Sequence, residues 1–260
     1  SGMLLRPRQQ TFVERSVKAL NEVGNALSIA PTGAGKTVMF SEIIGQLLKG
    51  TSLKALVLAH RDELTDQNRA QFQKINPSIN TSVYDASSKS WDGQVTFAMV
   101  PTLSRPENLE TMHAIDLVII DEAHHSVAET YQRIIDRARE LNGTCRIFGV
   151  TATPNRSDGL GLRRVFTNVA DQISVGELVA TGNLVEPRTF VMDVGVTKTL
   201  SAVEKRGGEF DMEAVEEILN TEVINEEVVK HWKEKAGARQ TVVFCSTVAH
   251  ANAVTEEFSK

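Results

Sequence analysis

The chain has 260 residues, of which 41% are hydrophobic and 23% are charged, and its formal net charge at pH 7 is −5. This composition excludes a disordered chain and predicts a globular protein with one large domain or two small ones. The acidic balance provides no overall basic footprint, so any contact with nucleic acid must be local.

The sequence carries no signal for a membrane or for an oxidising compartment. No apolar run approaches the roughly 20 residues that span a bilayer, and no charged-then-apolar leader opens the chain. Ser1 and Gly2 before Met3 are typical of a scar left by tag removal, which predicts Met3 as the natural start. Cys145 and Cys245 each lie among apolar or β-branched residues, which predicts two core thiols and a reducing, cytoplasmic compartment.

The N-terminal segment predicts a helix. Proline is well tolerated at the first helical position, so Pro7 is expected to begin this helix and Gly24 to end it. Arg6 and Gln9 therefore lie at a helix start. A glutamine amide both accepts and donates hydrogen bonds, so Gln9 is a candidate reader of adenine, and a solvated helix start is the alternative.

Residues 30–37 form the strongest motif and read Ala-Pro-Thr-Gly-Ala-Gly-Lys-Thr. A short buried strand is predicted over 27–30, and apolar residues recur at helical spacing over 38–48. A strand, a glycine-bearing loop and a helix form the context of a phosphate-binding P-loop. Ala30 stands where that pattern usually has glycine, and the alternative is a chance glycine-rich turn.

Each residue of this loop has a predicted task toward ATP. Gly33 and Gly35 let the backbone curl so that N–H groups face inward, where the helix dipole adds positive charge. Lys36, which is also predicted to be catalytic, would reach the β and γ phosphates, and Thr37 would ligate Mg²⁺. The predicted nucleotide-binding residues are Arg6, Gln9, Pro31, Thr32, Gly33, Ala34, Gly35, Lys36 and Thr37.

Two carboxylates at the end of a predicted buried strand, 115–120, form the second strong signal. Asp121 and Glu122 would be costly at this position without a function, because charge is rarely left unpaired near a core. Asp121 is predicted to hold Mg²⁺, and Glu122 to orient or deprotonate the attacking water. His124 is predicted to link this hydrolytic site to whatever ligand binds beside it. A metal site built from His124 and His125 is the alternative, and the lack of further ligands at the right spacing disfavours it.

Further polar residues follow other predicted strands, and ligands bind outside the carboxyl ends of strands in open α/β sheets. His60, Arg61 and Thr102 are candidate contacts to a nucleic-acid backbone. Thr151 and Thr153 carry hydroxyls that can hydrogen-bond to a carboxylate or a histidine, which predicts a coupling segment. The strands predicted beyond those already named are 53–59, 81–84, 94–100, 145–150, 189–192 and 240–245.

Outside these strands, helices and one loop complete the prediction. The glycine-rich stretch 157–162 is predicted to be a surface loop. The predicted helices are 7–23, 38–48, one that ends at 75, 127–141, 174–180, 212–219, 223–236 and 248–258.

Segments 30–37, 121–124 and 151–154 resemble, in this order, motifs I, II and III of the superfamily two helicases and translocases. Within that superfamily, residues 59–61 and 153–156 are similar to the DEAD/DEAH-type branch that contains RadD-like repair helicases and restriction-enzyme helicase subunits.

Three further segments share this resemblance. Gln9 matches the position of the adenine-reading glutamine, and residues 60–64 resemble motif Ia. Residues 100–103 resemble motif Ib, with proline where glutamine is common.

The resemblance implies an α/β fold: a RecA-like P-loop domain with a mostly parallel central sheet flanked by helices, followed by the start of a second RecA-like domain. The expected boundaries are 1–193 for the first domain, 194–209 for a linker and 210–260 for the beginning of the second.

The resemblance also implies ATP and Mg²⁺ as cofactors and nucleic acid as partner, DNA rather than RNA, together with other repair or restriction subunits. The implied function is that of an ATP-dependent helicase or translocase. Related proteins complete the ATP site with arginines from the second domain, so this chain is expected to bind ATP with little turnover. The alternative is an ATP-switched binding module that does not translocate.

Overall fold

The computed structural model describes residues 4–152, 154–206 and 209–260. The chain forms two compact units, and the boundary between them falls after Glu186. The predicted coupling residue Thr153 lies outside the described residues. Across the described ranges, no helix combines the length and apolarity needed to cross a bilayer.

A parallel sheet organises the first unit. Its seven strands within the described residues are β1 (Asn25–Ile29), β2 (Ala55–Ala59), β3 (Thr81–Tyr84), β4 (Val95–Met99), β5 (Leu117–Asp121), β6 (Arg146–Thr151) and β7 (Val169–Gln172). They lie in the order β3-β4-β2-β5-β6-β1-β7, and each neighbouring pair is parallel. This confirms the predicted α/β fold with a parallel central sheet.

Helices cover both faces of the sheet. In the described part of this unit they are α1 (Pro7–Val23), α2 (Lys36–Leu48), α3 (Asp62–Ile75), α4 (Val100–Leu103), α5 (Pro106–Leu109), α6 (Glu129–Leu141), α7 (Gly159–Val165) and α8 (Val175–Ala180). Phe12, Ile43 and Phe72 place α1, α2 and α3 on one core cluster, whereas Ile134 and Leu162 place α6 and α7 on the other. The strands are apolar because helices bury both of their faces.

The first helix begins and ends where the sequence predicts. Pro7 occupies its first position, and Gly24 follows its last residue with a φ of 87°. A residue in this left-handed conformation commonly ends a helix, and glycine adopts it without steric cost.

The edge strand β7 is absent from the sequence prediction, and an ion-pair cluster ties it to α1. Arg8 forms a bidentate ion pair with Asp171, and Arg15 Nη1 lies 3.0 Å from Asp171 Oδ1. The side chain of Asp171 is only 3% exposed. Burial alone would raise the pKa of Asp171, but the hydrogen bonds from Arg8 and Arg15 hold that pKa below its ordinary value.

Replacing Asp171 with Asn is expected to lower the free energy of unfolding at pH 7 by about 2 kcal/mol, because charge-assisted hydrogen bonds are lost. Since the pKa of Asp171 is depressed in the folded state, this stabilisation is present above the unfolded pKa of about 4. It is lost as the pH falls from there through the folded pKa. Urea unfolding at pH 7 and pH 3 measures both effects. The exposed Asp92→Asn is the control. If the free energies of unfolding of the wild type and D171N differed by the same amount at both pH values, that result would contradict the role of the Asp171 ion pairs.

The predicted surface loop over 157–162 is wrong. A 3₁₀ turn over Arg156–Asp158 leads directly into α7. The glycines suggested a loop, but Leu162 and Val165 are 4% and 3% exposed. Burial of these side chains against the sheet outweighs the weak helix propensity of glycine.

The second unit, 187–260, is mainly helical in its described residues. Its elements are α9 (Thr197–Ser201), β8 (Lys205–Arg206), β9 (Glu209–Phe210), α10 (Met212–Leu219), α11 (Glu222–Lys235) and α12 (Val248–Phe258). The boundaries predicted at residues 193 and 209 stay predictions.

Two predicted strands of this unit are wrong. Residues 189–192 and 240–245 have no regular structure, and Phe244 is 93% exposed. A strand needs a paired neighbour, and the strands described in this unit, β8 and β9, pair only with each other. Residues 240–245 therefore have a strand-like sequence without a sheet to join.

Candidate nucleotide site

The P-loop lies between β1 and α2, as predicted. Gly33 and Gly35 have φ values of 93° and 84°, a conformation that favours glycine. The N–H of Ala34 donates to the carbonyl of Pro31 at 3.1 Å. Among the described residues no side chain caps α2, which begins at Lys36, so the first N–H groups of this helix are available to bind an anion. The loop therefore fits a nucleotide phosphate.

The helix start predicted to read adenine lies against this loop. Gln9 Nε2 and Arg6 Nη2 both donate to the carbonyl of Ala34, at 2.9 and 3.1 Å. Gln9 Oε1 accepts from the backbone N–H of Arg6 at 3.0 Å. An amide has two donor and two acceptor positions, so one of each remains on Gln9. The remaining pair suits the donor and acceptor that adenine presents at N6 and N7.

Lys36 and the predicted base Glu122 form an ion pair. The Lys36 Nζ to Glu122 Oε1 distance is 2.9 Å. Glu122 has a φ of 54°, and it is the one non-glycine residue with positive φ in the described part of the chain. Such a conformation costs of order 1–3 kcal/mol and occurs at functional sites. In this conformation the Glu122 carboxylate lies beside the ammonium group of Lys36.

A buried asparagine joins the two predicted Mg²⁺ ligands. Asn68, on α3, is 3% exposed. Its Oδ1 accepts from Thr37 Oγ1 at 3.2 Å, and its Nδ2 donates to Asp121 Oδ2 at 3.1 Å. Burial raises the pKa of Asp121, and the hydrogen bond from Asn68 opposes this rise. A cation bound beside Asp121 would favour the charged carboxylate further, so Thr37 and Asp121 fit Mg²⁺.

Asn68 is not among the predicted site residues, although helical spacing places it on the buried face of α3, where a polar residue needs partners. Replacing Asn68 with Ala is expected to raise the Mg²⁺ concentration needed for ATP binding by about 10- to 100-fold, as loss of an outer-shell partner typically does. A Mg²⁺ titration of ATP binding measures this. Gln71→Ala on the same helix is the control, and an unchanged Mg²⁺ requirement in N68A would exclude the role.

Two of the predicted coupling residues, His124 and Thr151, adjoin the same site. His124 Nδ1 lies 3.1 Å from Thr151 Oγ1 and 3.5 Å from Glu122 Oε2. The carbonyl of Thr151 also accepts from the N–H of Ala30 at 2.9 Å, which connects β6 to the beginning of the P-loop. The end of β6 thus contacts the phosphate loop directly and Glu122 through His124.

The three predicted nucleic-acid contacts follow neighbouring strands. His60 and Arg61 come after β2, and Thr102 lies in α4 after β4, so all three share one edge of the sheet. The His125 ring lies 4.2 Å from the His60 ring and 4.1 Å from the His124 ring, centroid to centroid.

Burial lowers the pKa of His60 and His125, with help from Arg61 at His60 and from His124 at His125. Both shifts favour the neutral form of the two rings. Through His125, the His60 ring at the candidate nucleic-acid contacts is connected to the His124 ring at the nucleotide site.

Comparison with known proteins agrees with these features. The family model described as type III restriction enzyme, res subunit, matches residues 2–156. The putative ATP-dependent helicase IRC3 of Saccharomyces cerevisiae is 30% identical over 274 residues, which cover 99% of this chain and 39% of that protein. The putative mitochondrial ATP-dependent helicase irc3 of Schizosaccharomyces pombe is 28% identical over 270 residues, covering 100% of this chain and 44% of that protein. The chain therefore spans less than half the length of these curated relatives.

A solved structure shares the fold. The ATP-dependent type ISP restriction-modification enzyme LlaBIII bound to DNA aligns with a TM-score of 0.68 and 16% identity, over 100% of this chain and 21% of that one. The fold, the ordered motifs and the match over 2–156 lead to one assignment. The chain belongs to the family of type III restriction enzyme res subunits, and with it to the superfamily two helicases.

Proposed function

We propose that the chain is the N-terminal motor domain of an ATP-dependent helicase or translocase that acts on nucleic acid, DNA rather than RNA. The observation that carries the proposal is the continuous network from Lys36 through Glu122 and His124 to Thr151. Matching relatives with helicase in their names support it. The proposed compartment is the cytoplasm, and other repair or restriction subunits are the proposed protein partners.

Each residue of the network has a defined task in this proposal. Mg·ATP, when bound, supplies the phosphoanhydride bond whose hydrolysis drives the cycle. Lys36 leaves its partner Glu122 and binds the phosphates, which frees the carboxylate to orient a water and accept its proton. Thr37 and Asp121 would hold the Mg²⁺, which would neutralise the charge that develops on the phosphates. His124 and Thr151, together with Thr153, couple changes at Glu122 to the residues that follow the neighbouring strands.

The nucleic acid lies, in this proposal, across the strand ends that carry His60, Arg61 and Thr102. Backbone contacts of this kind position a strand without reading its sequence. The net charge of −5 means that such binding depends on these local groups.

The chain by itself is proposed to bind ATP with little turnover. An arginine supplied from elsewhere typically contributes about 10³ to 10⁵ in rate at a phosphoryl-transfer site. The arginines of the second domain would be this source in a longer protein. Robust turnover by the 260-residue chain that disappears in Glu122→Gln would contradict this part of the proposal.

The test is ATPase activity of a protein with both motor domains, alone and with single-stranded DNA, duplex DNA or single-stranded RNA. Lys36→Ala is the control for contaminating activity. Stimulation by DNA alone supports the proposed motor and its track. Stimulation by RNA alone would replace DNA with RNA. Nucleotide binding without stimulation by any polynucleotide would favour an ATP-switched binding module.

A further inference from the structure

A short segment after α8 lies against the P-loop. Its backbone N–H groups at Asn183 and Leu184 both donate to the carbonyl of Leu178, at 2.8 and 3.0 Å. Gly182 makes the turn possible with a φ of 75°. Leu178 is 4% exposed and belongs to the core cluster that includes Ala34 of the P-loop. The segment is therefore held in place by the core of the first unit.

Leu184 packs on the glycine of the phosphate loop. A Cβ built on Gly33 would lie 2.7 Å from Leu184 Cδ2, closer than real side chains approach each other. The half-buried Leu184 side chain therefore occupies space that a larger residue at position 33 would need. The segment and the P-loop form one packed surface.

Asn183 holds the arginine at the start of α1. Its Oδ1 accepts from Arg6 Nη1 at 2.7 Å, and its Nδ2 donates to Thr181 Oγ1 at 2.8 Å. The other terminal nitrogen of Arg6 donates to the carbonyl of Ala34 at 3.1 Å. Both ends of the guanidinium are thus fixed, one by the segment and one by the P-loop. A guanidinium held in this way keeps its flat faces available, and such faces stack on aromatic rings.

We propose that Asn183 is a positioning residue for the base of a bound adenine nucleotide, acting through Arg6. The segment 181–184 and the Arg6 plane then form a further wall of the base site, beside Gln9. The inference rests on the proposed function because it takes ATP as the ligand. The Asn183 side chain is exposed, and its hydrogen bonds go to Arg6 and Thr181, so its removal is expected to change the orientation of Arg6 and to leave the core packing intact.

Binding of two Mg²⁺-loaded probes, ATP and inorganic triphosphate, tests this directly on the protein. Triphosphate uses the P-loop but has no base. Asn183→Ala is expected to weaken ATP binding about 10-fold, the effect of one lost charge-assisted hydrogen bond, and to leave triphosphate binding unchanged. Asn183→Asp retains an acceptor for Arg6 and is expected to bind ATP like the wild type. In Arg6→Ala, the additional change Asn183→Ala is expected to have no further effect.

The outcomes separate three explanations. Unchanged ATP affinity in N183A, or additive losses in the double variant, would overturn the role of Asn183. Equal losses of ATP and triphosphate binding would also overturn it, because they would indicate damage to the P-loop. Failure of the wild type to bind either probe would instead reject the proposed function.

Discussion

Substitution of Glu122 by Gln is expected to slow nucleic-acid-stimulated ATP hydrolysis by about 10²- to 10⁴-fold, the usual contribution of a general base. Gln has almost the same shape as Glu but cannot accept a proton from water. ATP binding is expected to persist, because Lys36 and the P-loop amides remain. Steady-state ATPase measurements and equilibrium ATP binding, both on a protein with the two motor domains, test the two halves of this expectation.

The control for this substitution is Glu129→Gln, whose side chain is 80% exposed at the start of α6. It removes one carboxylate from the same part of the chain without touching the site. If E122Q retained wild-type turnover, the base would have to be another group. If it lost ATP binding as well, the strained turn at Glu122 would have a structural role beyond catalysis.

Substitution of Lys36 by Ala is expected to weaken ATP binding by about 10- to 160-fold. The ammonium would donate to the charged phosphates, and hydrogen bonds to charged groups contribute about 1.5–3 kcal/mol, with 1.36 kcal/mol for each factor of ten. This prediction concerns binding alone, so titration of the 260-residue chain with ATP measures it.

Lys49→Ala is the matched control, because Lys49 follows the other end of α2 and is exposed. Wild-type ATP affinity in K36A would exclude the P-loop as the phosphate site. A loss of affinity accompanied by unfolding would show that the Lys36–Glu122 pair mainly supports the fold, and a thermal melt in the absence of nucleotide distinguishes this case.

The sequence by itself determined the elements whose signals are local. Buried parallel strands are continuous apolar runs, so β2 and β5 are visible as short stretches of consecutive apolar residues. The P-loop is equally visible because a phosphate cradle needs glycine where φ is positive, and Gly33 and Gly35 meet that need. Asp121 and Glu122 stand out because carboxylates seldom follow a buried strand without a function.

Only the tertiary structure decided the contacts between distant parts of the chain. Asn68 joins Thr37 to Asp121 because α3 packs beside α2. Helical spacing marks Asn68 as buried but does not identify its partners. Asn183 reaches Arg6 across 177 residues. Such pairs have no periodicity or spacing that a sequence pattern could contain, since the sheet order sets their proximity.

Pairing with neighbouring strands also determined which segments form strands. The edge strand β7 has little apolar character, yet it pairs with β1, and Arg8 and Arg15 neutralise its buried Asp171. Residues 240–245 have the apolar run of a strand and remain irregular. Local sequence therefore determined the phosphate loop and most strands of the sheet. Pairing and burial decided that β7 is a strand and that residues 240–245 are not, because a strand is stable only when another strand satisfies its backbone hydrogen bonds.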